Sequence, residues 1–273
     1  MQVISSADEL RLCHGGAFVP TMGALHAGHL SLIRRAAECP APVVVSIFVN
    51  PTQFGPNEDY QRYPRPLEAD LAAAEQAGAE FAFVPEVETV YPPDEETPVP
   101  PLPEAATRPG LEDAHRPGHL AGVCQVVARL FDLLQPRYAL FGEKDYQQLL
   151  VIRAMSQQER QRWSNLRIVA HETVRDDDGM ALSSRNEYLT KKQRRRGLGL
   201  SRALRQAQES ENPQEAEETM RRILDEHDLQ VDYAVARDAA TLLPTESFAR
   251  PARALIAGRV DEVRLIDNMA IPP

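Results

Sequence analysis

Short apolar runs and longer stretches of helical periodicity alternate along the first two-thirds of the sequence. The runs at 17–20, 43–49, 81–84, 138–141 and 166–170 read as strands, and 29–38, 67–77, 119–134 and 145–157 as helices. The run Val43-Val44-Val45-Ser46-Ile47-Phe48-Val49 is apolar at nearly every position, as a strand covered on both faces must be. From 119 to 134, Val123, Val126, Val127, Leu130, Leu133 and Leu134 recur at helical spacing until Pro136 ends the pattern. This alternation predicts a parallel sheet with crossover helices.

Residues 85–117 interrupt it and carry nine of the 22 prolines. Such a segment is either a lid or binding loop or a plain surface excursion. Beyond about residue 175 the pattern changes again. Asp176-Asp177-Asp178-Gly179 reads as a turn, polar helices follow near 190–209 and 213–227, and short strands near 231–236, 252–257 and 262–266. The expected organisation is therefore an α/β domain over 1–175 and a smaller α+β domain over 176–273. The basic run Lys191–Arg196 reads as a solvated helix face rather than a ligand patch.

Composition narrows the class. A chain of 273 residues with 43% hydrophobic and 26% charged positions has the material for real cores. A net charge of −10 argues against a general nucleic-acid binder, yet a local basic cleft for an anionic ligand remains compatible with it. Cys13, Cys39 and Cys124 show no metal-ligand spacing and fit a reducing compartment. No apolar run approaches a membrane span. The expectation is a soluble cytoplasmic protein.

The segment Pro20-Thr21-Met22-Gly23-Ala24-Leu25-His26-Ala27-Gly28-His29 ends the first strand run and opens a helix whose buried stripe is Leu30, Leu32, Ile33, Ala36 and Ala37. His26 and His29 lie three residues apart, on one face of the first helical turn. Free amides and the positive end of the helix dipole suit that turn to phosphate, and Gly28 lets a base or phosphate approach the backbone. The other reading is that the histidines cap the helix. Further groups fall where loops should leave the carboxyl ends of strands, the usual ligand crevice of an open α/β sheet. Asn50 and Gln53 suit a ligand with hydroxyls and a carboxylate, with a plain turn role as the other reading for both, an Asx turn at Asn50 above all. In Gly142-Glu143-Lys144-Asp145, Lys144 offers a cation to phosphate. Asp145 offers an oxygen to Mg²⁺ or a ribose, or a helix cap, and Gln148 shares its face. His119, in Arg116-Pro117-Gly118-His119, reads as a cap or a surface residue. Ser183-Ser184-Arg185-Asn186 reads as an ordinary turn or as a mobile loop that closes on a triphosphate.

Taken in order, PTMGALHAGH, VVSIFVNPTQFG, YPR with a later Asp, RPGH, FGEKDYQQL, SSRNEYL and the tail Glu262–Asn268 resemble the pantoate–β-alanine ligase family over nearly the whole chain. The resemblance implies a Rossmann-like doubly wound parallel sheet of the nucleotidyltransferase superfamily with a smaller α+β domain. It implies ATP-dependent condensation of (R)-pantoate with β-alanine through pantoyl adenylate. The alternative is a related nucleotidyltransferase that adenylates a different small acid. It further implies catalytic roles for His29, His26, Lys144 and Arg185. ATP contacts would come from Met22, Gly28, Gly142, Glu143, Lys144, Asp145, Val174, Leu182, Ser183, Ser184 and Arg185. Pantoate and β-alanine contacts would come from Gln53, Gln148 and Asn50, an environment for Mg²⁺ from Asp70, and weaker support from Tyr63, Glu112 and His119. A homodimer acting on small molecules is expected. The chain departs from the family pattern at Leu120, where an aromatic is usual, at Ala69 before Asp70, where a second acid is common, and at His115 and Val263.

Overall fold

The computed structural model describes every residue except Asn57, and every side chain except those of Ala7, Asp8 and Asn57. The chain forms two compact units. The first comprises Met1–Thr107, Glu112–Glu143 and Gln148–Glu172, and the second Arg108–Leu111, Lys144–Gln147 and Thr173–Pro273.

In the first unit the elements are β1 (Gln2–Ile4), β2 (Ala17–Thr21), α1 (Ala27–Ala36), β3 (Val43–Ile47), α2 (Leu67–Gln76), β4 (Phe81–Phe83), α3 (Val87–Val90), α4 (Glu112–His115), α5 (His119–Leu134) and β5 (Tyr138–Gly142). After them come α6 (Tyr146–Gln158), whose first two residues belong to the second unit, and β6 (Arg167–His171). Among the described residues six strands make one sheet, ordered β1-β4-β3-β2-β5-β6 and parallel throughout. Side chains alternate across a strand, so the sheet buries both faces. Ala17 and Val19 of β2 join Val43, Val45 and Ile47 of β3 in one core with Leu32 and Ile33 of α1 and Ala74 of α2. Phe18 points the other way and meets Phe131 of α5 edge-on, with ring centroids 6.5 Å apart. Phe131 also packs edge-on against Phe141 and Trp163. The sheet is therefore doubly wound. The chain runs outward from β2 through β3 on one side and from β5 to β6 on the other, so strand order reverses between β2 and β5. The carboxyl ends of those two strands are where such a fold binds ligands.

The Pro-rich stretch is folded rather than open. It contains α3, α4 and a short 3₁₀ turn at Glu104–Ala106. Its first half is pinned along α5, where Arg129 Nε donates to the Val90 carbonyl (2.9 Å) and its two terminal nitrogens to Glu95 (3.1 Å each). Gln125 Nε2 donates to the Thr97 carbonyl at 2.6 Å.

The second unit is α+β. Its helices are α7 (Lys191–Gly197), α8 (Gly199–Ala207) and α9 (Pro213–Glu226). Its strands β7 (Gln230–Asp238), β8 (Ala252–Val260) and β9 (Val263–Ile271) form an antiparallel sheet in sequence order. Leu200 and Leu204 of α8 and Met220 and Leu224 of α9 form a core with Ala254 and Ile256 of β8 and Leu265 of β9. The single helix expected over 190–209 divides at Leu198. The basic run is also more engaged than a solvated face would be: Arg194 bonds Asp176 and Asp178, and Arg196 bonds Asp261.

Candidate active site

The turn after β2 is built by an acid from a neighbouring helix. Gly23 and Ala24 both have positive φ, at 80° and 50°. For alanine this costs energy and persists only where the surroundings enforce it. Asp70 of α2, only 2% exposed, supplies that enforcement. Its Oδ2 accepts from the Ala24 amide (2.8 Å) and its Oδ1 from the Leu25 amide (2.7 Å). A Cβ on residue 23 would lie 2.9 Å from Asp70 Oδ2, so glycine there also makes room for the carboxylate. The geometry thus gives Asp70 a task apart from any cation. Asp70→Asn exchanges one of its two acceptors for a donor facing an amide. It should destabilise the fold by about 1–3 kcal/mol, read by denaturant unfolding, and should lower turnover through the displaced turn.

The braced turn delivers His26 and His29 onto α1. His26 is the helix N-cap, and its Nδ1 accepts from the Gly28 amide at 3.1 Å. His29 returns the contact, its Nδ1 accepting from the His26 amide at 3.4 Å in a reciprocal capping box. The rings stack with centroids 4.0 Å apart. An Nδ1 that accepts from an amide carries a lone pair, so the neutral tautomer of each ring holds its proton on Nε2. The histidines do cap the helix, each through its Nδ1.

The turn after β3 forms a second cluster. Asn50, 1% exposed, accepts at Oδ1 from the Thr52 amide (3.3 Å) and from the Tyr91 hydroxyl (2.8 Å). Its Nδ2 donates to the Gly122 carbonyl and to Gln53 Oε1, both at 3.3 Å. An amide can only donate and a carbonyl only accept, so these partners fix the Asn50 carboxamide, which in turn orients Gln53. Gln53 Nε2 lies 2.9 Å from the Met22 sulfur. Burial pushes the Tyr91 phenol above its usual range, so it remains a donor at neutral pH. Asn50 is therefore an Asx-turn residue and also the residue that sets Gln53.

His119 is not the cap, since the N-cap of α5 is Gly118, and it is half-buried rather than fully exposed. Its Nδ1–H donates to the Gln53 carbonyl at 2.8 Å. Burial first, and the Arg116 charge second, push the imidazole down to about 4 from 6.5. Arg116 itself makes a two-pronged bond to Glu58 at 2.7 Å per arm and lies 3.8 Å from Glu112. Burial would raise the Glu58 carboxyl, but Arg116 outweighs it and holds the group at about 2 rather than 4.5. Both shifts are downward, so the unfolded chain binds the extra proton as acid is added. The His119 contribution to stability is complete above pH 6.5 and is lost as pH falls towards 4; that of Glu58 is complete above 4.5 and is lost towards 2. His119→Gln should flatten the stability–pH curve between pH 6.5 and 4 and leave the steeper fall below it, as followed by thermal melting across that range.

Other predicted residues fall as follows. Tyr63 is buried and meets Phe54 edge-on at 6.0 Å. Gly142 ends β5, Glu143 starts a one-turn 3₁₀ helix, and Gln148 is half-buried in α6. In the second unit, Lys144 lies 3.7 Å from Asp145. Val174 and Leu182 face each other across a hairpin, the Leu182 amide donating to the Val174 carbonyl at 3.0 Å, with the Asp176–Gly179 turn at its tip. That hairpin leads into Ser183, whose Oγ accepts from the Arg185 amide at 3.3 Å, while Ser184 is buried. Sequence reasoning passed over Tyr91 and Glu58, whose partners lie far along the chain and whose own motifs carry no signal. Among the described residues no helix is long and apolar enough to cross a membrane.

A doubly wound parallel sheet with a histidine-capped helix at its switch point defines a Rossmann-like nucleotide-binding α/β protein. A family model described as pantoate-beta-alanine ligase matches residues 2–270. Pantothenate synthetases of Novosphingobium aromaticivorans and Thermus thermophilus are 46% and 45% identical, each aligned over 100% of both chains. The crystal structure of the Thermus thermophilus enzyme superposes with a TM-score of 0.93 over 100% of both chains at 45% identity. A Francisella tularensis pantoate-beta-alanine ligase, complexed with beta-gamma ATP and beta-alanine, gives 0.80 at 32% identity over 98% of this chain and 97% of that one. The chain belongs to the pantoate–β-alanine ligase family and is an ATP-dependent, C–N bond-forming ligase.

Proposed function

We propose that the chain makes pantothenate through pantoyl adenylate and that the residues above divide the work. A pantoate carboxylate oxygen attacks the α-phosphorus of ATP and pyrophosphate leaves with the bonding pair. The uncharged β-alanine amine then attacks the acyl carbon, AMP departs with the bonding pair, and the proton lost from nitrogen passes to solvent. Negative charge grows on the α-phosphoryl oxygens and on pyrophosphate during the first step, so fixed donors there supply most of the stabilisation. The observation that carries this reading is the pair of histidines at the start of α1 whose Nδ1 atoms both accept from backbone amides, which puts the proton of each neutral ring on Nε2. His29 is the main catalytic donor and His26 its companion on the phosphates. Lys144, Ser183, Ser184 and Arg185 serve the β- and γ-phosphates. Met22, Gly28, Gly142, Glu143, Val174 and Leu182 contact the nucleotide, and Asp145 the ribose. Gln53, oriented by Asn50, binds pantoate and reaches β-alanine, and Gln148 binds pantoate. The second step needs chiefly alignment and exclusion of water.

Mg²⁺ enters as part of the nucleotide substrate, where it neutralises phosphate charge. No group of three or more His, Cys, Asp or Glu side chains placed to hold a metal occurs among the described residues, and Asp70 spends both oxygens on amides. The family resemblance supports a homodimer working in the cytoplasm.

ATP–pyrophosphate exchange with Mg²⁺, with and without (R)-pantoate, tests the reading. Exchange that requires pantoate is expected. Exchange with another carboxylate in place of pantoate would identify a different acid, and ATP binding without exchange would overturn catalysis altogether.

A further inference from the structure

The tail motif Arg264-Leu265-Ile266-Asp267-Asn268 lies in β9 and meets, through Asn268, the segment that carries Lys144. Lys144–Gln147 belongs to the second unit, although the residues on either side of it belong to the first. Asn268 Nδ2 donates to the Lys144 carbonyl at 2.8 Å. Asn268 Oδ1 accepts from Arg253 Nε at 2.7 Å. A guanidinium only donates and a carbonyl only accepts, so the Asn268 carboxamide has one orientation. The Arg253 guanidinium also lies over the Tyr146 ring, 4.0 Å from its centroid, and the Tyr146 hydroxyl donates to the Ala239 carbonyl at 3.0 Å. Asn268 and Arg253 are 3% and 7% exposed, which makes a missing partner costly in this network.

Asp267, the preceding residue of β9, fastens another segment. Its carboxylate makes a two-pronged bond to Arg175 at 2.7 and 2.8 Å, and Arg175 Nη1 donates to the Gly179 carbonyl at 3.1 Å. Arg175 and Gly179 lie in the hairpin that leads directly to Ser183-Ser184-Arg185. The Asn268 amide in turn donates to Asp267 Oδ1 at 2.7 Å. Consecutive residues of one strand thus hold the backbone of Lys144 and the hairpin before the serine loop.

We infer that Asn268, oriented by Arg253, is a positioning residue that fixes the Lys144 backbone, so that Lys144 and Ser183–Arg185 act as parts of one phosphate-binding body. The inference rests on the reading that Lys144 serves the nucleotide phosphates. Removing the Asn268 amide frees the Lys144 carbonyl and lets the ammonium wander from its place, while the fold keeps its Asp267–Arg175 contact.

A double-mutant cycle in the full-length chain tests it, with pantoate-dependent ATP–pyrophosphate exchange as the readout and melting temperature recorded in parallel. Asn268→Ala should slow exchange about tenfold, the rate equivalent of one lost hydrogen bond at its upper range. In a Lys144→Ala background the same change should alter exchange by less than about twofold, because the group it positions is gone. The melting temperature should fall equally in both backgrounds. Asn268→Asp, which still accepts from Arg253 but sets a carboxylate against the Lys144 carbonyl, should lose more than Asn268→Ala. Should Asn268→Ala not fold, Asn268→Ser takes its place: it keeps an acceptor for Arg253 and is too short for Lys144. Equal fold-losses in both backgrounds, or an unchanged rate in the first, overturn the inference. Full exchange from Lys144→Ala alone overturns the phosphate role of Lys144, and this inference with it.

Discussion

His29→Ala is expected to slow pantoate-dependent ATP–pyrophosphate exchange by ~10²–10³-fold, the range for losing one donor aimed at developing oxyanion charge. The substitution removes two things, because His29 Nδ1 also accepts from the His26 amide. Loss of that cap costs about 1 kcal/mol of stability on its own. His29→Gln separates the two effects. Glutamine at the third helical position is the usual partner in a capping box, so it should restore the melting temperature. Its amide cannot set a donor where the imidazole Nε2–H stood, so exchange should stay depressed. Aminolysis of preformed pantoyl adenylate by β-alanine should suffer less in both variants, since alignment governs that step. Near wild-type exchange from His29→Ala would end the catalytic assignment.

Gly122→Ala should be almost as damaging, against the ordinary trend. Replacing glycine inside a helix by alanine usually stabilises by about 1 kcal/mol. Here a Cβ would sit 2.2 Å from the Thr52 carbonyl oxygen and 2.8 Å from Gln53 Cα. These are backbone atoms with no rotamer to retreat into, so either α5 or the turn at 51–53 must move. Overpacking of this kind costs about 1–3 kcal/mol. The Gly122 carbonyl is also the acceptor for Asn50 Nδ2, so displacement loosens the residue that orients Gln53. A misplacement near 1 Å can cost ~10²-fold in rate. The expected result is a loss of that order in kcat/KM for pantoate, together with a lower midpoint in urea. A variant as active as the parent and more stable would show that the close approach does not matter.

Much of the fold was legible because burial leaves its mark on composition. The run at 43–49 could be read as a central strand from apolar residues at both sets of alternating positions, and the stripe from Val123 to Leu134 could be read as α5. Strand β1 was not legible, since three residues are too few to show a period. The packing of the Pro-rich stretch was hidden for another reason: Arg129 and Gln125 hold it through backbone carbonyls, which carry no sequence signature. The site divides along the same line. His26 and His29 stood out because a strand, a turn and a helix could be seen around them. The brace from Asp70 could not be read, because it meets amides made accessible by positive φ at residues 23 and 24, and an alanine gives no warning of that geometry. His119 and Tyr91 likewise act on groups dozens of positions away. The break in the long polar helix near Leu198 lay between Gly197 and Gly199, a spacing that the period alone did not resolve.

The membership of Lys144–Gln147 in the second unit bears on how this protein can be taken apart. A gene cut after Glu172 would yield a carboxyl-terminal fragment that looks complete by length, yet lacks the tyrosine ring under Arg253 and the carbonyl bound by Asn268. Both buried polar groups would be left without those partners, and the fragment would start life with a defect in its own interior. A cut that respects the second unit must therefore carry Lys144–Gln147 along with Thr173–Pro273.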